Sequence, residues 1–214
     1  MEASSQNVLH LTTAVDEEGP MLRPVIDGVD MLSLQQNDRG LDPDRLLPPL
    51  SHSLLPTTDP RPVIVGACSC GETGCGSLSL LLRRRGNEVL WEPVEQGEAL
   101  TRTYVFDLVE YLDAIDAAVG DRVDEGRGRR VARLVSVMLG MHDSQFGLST
   151  FSGVAVDWIS AWPWRSESVR VSVTRDQRQT VEEFHAESQE TDREFAARVA
   201  TWITKARYGG TGTG

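Results

Sequence analysis

Apolar and polar residues alternate loosely from Asn7 to Val15, and again over Met21 to Ile26 and Val29 to Leu34, a period of two that predicts strands. Asp27-Gly28, between the second and third runs, is a strong two-residue turn signal. There the alternation stops. Six of the chain's ten prolines fall between Asn37 and Pro62. Proline removes backbone donors and restricts its predecessor, so a loop or an extended lid is predicted over residues 37–62. The β pattern resumes with Val63-Ile64-Val65, a short buried strand, and continues in Ser77 to Arg85 and Glu88 to Val94 around Gly86-Asn87. A two-residue loop there sets Arg85 opposite Glu88 and Leu82 opposite Trp91, an opposite-charge pair and an apolar pair. Tyr104-Val105-Phe106 predicts a short edge strand.

The period then changes. Asp107 is placed to cap a helix, with Glu110 three residues later in a capping-box pattern, and Leu108, Leu112, Ile115 and Val119 repeat at helical spacing up to Gly120. A second helix is predicted over Gly128 to Leu139, with Val131, Leu134, Val135 and Met138 inward and Gly140 at its end. Val154, Val156 and Trp158 alternate as a strand, Val169, Val171 and Val173 line one face of another, and Gln179 to Phe184 adds a third. Thr191 with Glu194 forms a capping box for a last helix whose stripe is Phe195, Val199, Trp202 and Ile203. Leu112, Ile115, Val199 and Trp202 are therefore expected in the core. Hairpins interleaved with helices predict an α+β fold, an antiparallel sheet with about three helices packed on one face. The expected organisation is one domain over residues 1–208, with a flexible Gly/Thr tail at 209–214.

Composition narrows function more than fold. The chain has 214 residues and a formal net charge of −11, from 21 basic and 32 acidic side chains. Such a surface repels phosphate backbones, and no basic stripe interleaved with aromatics offsets it, which argues against nucleic acid as a partner. No apolar run is long enough to span a bilayer, which argues against a membrane. Glu2 stands where a secretory signal would carry Lys or Arg, so a cytoplasmic protein is expected. Arg83-Arg84-Arg85 and Arg127, Arg129 and Arg130 are short basic spots expected to balance neighbouring carboxylates.

GACSCGETGCG, residues 66–76, holds all three cysteines: Cys68, Cys70 and Cys75. Flanking glycines would let the backbone fold back and gather the thiols at one end of the sheet. Zinc would need a fourth ligand, from His52, His142, His185 or Glu72, and the spacing lacks the paired Cys-x2-Cys knuckle. Redox chemistry is disfavoured by Glu72, whose charge raises thiol pKa values. The third reading is a glycine-rich corner whose cysteines pack as small hydrophobes.

The run from Asp27-Gly28 through CSCGETGCGSLSLLL, Val89 to Trp91 and YVFD resembles a group of uncharacterised bacterial proteins that share a Cys-x-Cys-Gly-Glu-x-Gly-Cys turn. The resemblance fades after Val119. It implies a shared α+β domain and brings no activity with it.

Asp107, Glu110, Asp113 and Asp116 run along one helix, continued by Asp121, Asp124 and Glu125. Their spacing describes a solvated face suited to docking a basic partner rather than an acid–base pair. Trp158, Trp162 and Trp164 read as a core cluster at a sheet end, and His142-Asp143-Ser144 does not amount to a triad, because triads are spatial. The function expected is therefore a non-enzymatic acidic protein that binds another protein, of inhibitor or immunity type. No catalytic residue and no cofactor is assigned. The alternative is a zinc-stabilised domain or enzyme centred on Cys68, Cys70 and Cys75.

Overall fold

A computed structural model describes residues 6–33, 39–68, 77–94, 102–122, 125–141, 154–175 and 177–208. Among them are eleven strands in three antiparallel sheets and three α-helices, a mixed α+β chain with mostly sheet. The chain divides into two compact units, Met1–Val123 and Asp124–Gly214.

In the first unit, strands β1 (Leu9–Asp16), β2 (Gly19–Ile26) and β3 (Val29–Asp30) form one sheet. The turn between β2 and β3 has Asp27 and Gly28 at φ 53° and 80°, the left-handed conformation a tight turn needs. The Asp27 carboxylate also accepts from the Val8 N–H (2.8 Å) and the Asn7 amide (2.7 Å), bonds that hold it below the usual carboxylate range. Strands β4 (Arg39–Gly40), β5 (Arg61–Ala67), β6 (Ser77–Arg85), β7 (Glu88–Pro93) and β8 (Tyr104–Asp107) form a five-stranded sheet in sequential order. Its register sets Leu82 against Trp91 and Arg85 against Glu88, as the turn predicts, and β8 is its edge. The smaller sheet joins the larger one at both sides, through the Leu22–Leu41 bridge and the Asn7 N–H to Val105 carbonyl bond (2.7 Å). Gly40 is required at the first junction, where a Cβ would lie 2.1 Å from the Leu22 carbonyl oxygen.

The proline-rich stretch is largely a loop, seated in the core. Leu46, Leu47 and Leu54 are fully buried in the same core as β1, β2 and β5–β7. Two arginines fasten it: Arg61 donates to the carbonyls of His52, Ser53 and Leu55, and Arg122 donates to the Pro48 carbonyl and pairs with Asp44.

The second unit runs α2 (Arg127–Met138), β9 (Val154–Ser160), β10 (Val169–Arg175), β11 (Arg178–Phe184) and α3 (Asp192–Tyr208), with α1 (Leu108–Gly120) belonging to the first unit. The sheet order is β11-β10-β9. Val156, Val169, Val171 and Val173 on its inner face pack with Val131 and Val135 of α2 and Phe195, Val199 and Ile203 of α3. Trp202 is half-buried and stacks edge-on against Phe184, while Met138, expected inward, is 42% exposed. Between Val156 and Trp158 the β9–β10 register slips by one, so Asp157 is a bulge residue and both Val156 and Ile159 face the core. The Asp157 carboxylate accepts from the Ser172 (2.7 Å) and Thr174 (2.9 Å) hydroxyls. The capping box forms reciprocally: the Thr191 N–H donates to Glu194 (2.8 Å) and the Glu194 N–H to the Thr191 hydroxyl (3.2 Å).

Candidate protein-interaction surface

Helix α1 starts at Asp107, whose carboxylate accepts from the Val109 (2.8 Å) and Glu110 (3.3 Å) N–H groups, offsetting orphan donors at the helix start. Its rotation about its own axis is set by Tyr111. That ring lies against Trp91 and Phe106, with centroids 6.3 and 5.7 Å away. Its hydroxyl donates to the Leu54 carbonyl (2.9 Å) and accepts from the Trp91 indole N–H (3.2 Å). Burial pushes the phenol pKa well up, so the group stays neutral and its polar tip is satisfied inside the core.

With Tyr111, Ile115 and Ala118 inward, Leu112 cannot be. The sequence stripe of Leu108, Leu112, Ile115 and Val119 is rotated: Leu108 and Val119 are half-buried, and Leu112 is 36% exposed. Val109, at 65%, lies three residues before it on the same outer face. Glu110, Asp113 and Asp116 of the same helix are all exposed. Among the described residues none of these three carboxylates enters an ion pair. The outer face of α1 thus combines two exposed apolar side chains with three exposed carboxylates. Sequence spacing located the carboxylates. The apolar pair was missed because Leu112 fits a helical stripe as well as Tyr111 does.

Carboxylates in the second unit behave otherwise. Asp192 bridges Arg127 (2.8 Å) and Arg130 (2.9 Å), which lower its pKa against the opposing effect of desolvation. Glu190 pairs with Arg198 (2.8 Å), whose hydrogen bonds, aided by the Glu187 N–H, hold it at about 2. Glu125 pairs with Arg129 and Arg133. Guanidinium groups of Arg127 and Arg198 also lie over the Phe195 ring, 5.8 and 4.9 Å from its centroid. The expectation that the Arg127–Arg130 spot balances neighbouring carboxylates holds in this geometry.

Of the cysteine motif, Cys68 is half-buried just past β5, while Cys70, Cys75 and Glu72 lie outside the described residues, as does His142. Gly66, the first glycine of the motif, is a strand residue paired with Leu78. A Cβ there would meet the Leu32 side chain at 2.4 Å, so this glycine serves core packing. His52 is half-buried beside the Arg61 clamp, and His10 and His185 are exposed. Of the tryptophans, Trp164 is buried under the Arg165 guanidinium (4.4 Å), Trp158 is half-buried, and Trp162 is 52% exposed, so the cluster is only partly core. A shallow groove of about 340 Å³ runs along α3 past Met138, with Lys205 its only titratable lining residue. Among the described residues, no helix is long and apolar enough to cross a membrane. No protein family, curated protein or solved structure matches the chain.

Proposed function

We propose that the protein acts without catalysis, by binding a basic protein through the outer face of α1, in the manner of an acidic inhibitor or immunity-type partner. The observation that carries this reading is the set of three exposed carboxylates, Glu110, Asp113 and Asp116, which enter no ion pair among the described residues and share α1 with exposed Val109 and Leu112. The apolar pair supplies the desolvated centre where interface energy concentrates. The carboxylates, with the net charge of −11, attract and orient a basic partner.

The test is affinity capture from the native host with the full chain, alongside a Val109→Asp/Leu112→Asp variant and a Glu110→Gln/Asp113→Asn/Asp116→Asn variant. A basic protein retained by the parent, lost with the first variant and released at lower salt by the second is expected. Capture of the same protein at equal strength by all three chains overturns the reading.

A further inference from the structure

Strand β11 is exposed along nearly its whole length: Arg178 to Glu183 are all exposed, and Phe184 alone is half-covered. Among the described residues it lies at the sheet edge and pairs only with β10. On the inner face, Val171 and Val173 of β10 are buried, yet their partners Glu182 and Thr180 are exposed. The helical layer therefore ends over β10, and β11 projects beyond it.

The hairpin closes on Arg175↔Arg178. In an antiparallel ladder closed by a two-residue loop, that pair and every second pair after it exchange hydrogen bonds. Residues 178, 180, 182 and 184 thus bond to β10, and the backbone groups of Gln179, Val181 and Glu183 point to the open edge. Long bare edges of this kind template pairing with another strand.

Charge decides which strand fits. Arg178 and Glu182 lie on the same face of β11, four residues apart, and neither enters an ion pair among the described residues. A second β11, antiparallel and centred on Thr180, brings Arg178 of each copy opposite Glu182 of the other and Val181 opposite Gln179. Centring on Val181 would set Arg178 against Phe184, and centring on Glu182 would oppose two like charges. Only the first register pairs both charges, and it does so twice by symmetry.

We propose that β11 is a self-association edge: two copies of the chain pair β11 with β11 about Thr180, joining their three-stranded sheets into one of six strands. The surface lies in the second unit and is independent of the α1 reading.

The experiment is sedimentation velocity of the full chain, 23.6 kDa, from micromolar to millimolar concentration. Variants are Arg178→Glu, Glu182→Arg, the double swap, and an equimolar mixture of the two single variants. The parent is expected to form a dimer. Each single variant, which faces like charges in this register, is expected to dimerise about tenfold more weakly or worse. The double swap and the mixture, in which every pair is again opposite in sign, are expected to recover the parent's association. A parent that stays monomeric overturns the proposal. So do single variants that dimerise as the parent does, or a mixture no stronger than its components.

Discussion

Acidic side chains serve different ends in the two units. Around α3, Glu190 and Asp192 are gripped by Arg198, Arg127 and Arg130, and two of those guanidinium groups also cover Phe195. Along α1, Glu110, Asp113 and Asp116 are exposed and enter no ion pair among the described residues, on the helix that also exposes Val109 and Leu112. In the first case charge is part of how the helix is seated. In the second the seat is supplied by Tyr111 from the other side of the helix, and the carboxylates face solvent.

The sharpest break between the two arrangements comes from Phe195→Ala. It empties a fully buried site and removes the platform for two arginines, so a loss of about 3–5 kcal/mol in urea unfolding is expected. A loss no larger than that of a surface substitution would mean the ion pairs seat α3 without the ring. Tyr111→Phe tests the other seat. It keeps the ring but leaves the Leu54 carbonyl and the Trp91 N–H without their buried partner, at a cost of about 1–3 kcal/mol.

Acid should separate the units next. Glu190 has a folded-state pKa of about 2, below its ordinary 4.5. The unfolded chain takes up that proton first as pH falls, so the stabilisation is complete above about pH 5 and is lost between roughly pH 4.5 and 2. Arg198→Gln should flatten this loss in acid unfolding of the second unit, followed by tryptophan fluorescence. A curve as steep as the parent's would assign the acid sensitivity elsewhere. The smallest effect belongs to Leu112→Ala. An inward Leu112, as the helical stripe predicts, would make it cost several kcal/mol, but the exposed position predicts a change within about 0.5 kcal/mol, read by thermal melt.

Features written in short stretches were legible in the sequence. Gly86-Asn87 fixes the β6–β7 register, Thr191 and Glu194 fix the start of α3, and alternate valines fix the inner face of β10. What escaped depends on partners far away in the chain. The phase of α1 rests on Tyr111 reaching Leu54 and Trp91, and the burial of the proline-rich stretch rests on Arg61 and Arg122. For the candidate surface, spacing revealed the carboxylates. The exposure of Val109 and Leu112 became visible only once the helix was rotated into place.

The bulge at Asp157 gives β9 an unusual tolerance to the loss of a codon. In a regular strand, deleting one residue inverts every side chain beyond it, core to solvent. Here Val156 and Ile159 already face the same way across an extra residue. A chain lacking Asp157 would read Val156-Trp158-Ile159 in strict alternation and keep both apolar residues inward. It would forfeit only the carboxylate that holds Ser172 and Thr174. Insertions and deletions drifting through this gene would therefore find β9 forgiving at one position, and the unbulged pairing of β10 with β11 forgiving at none.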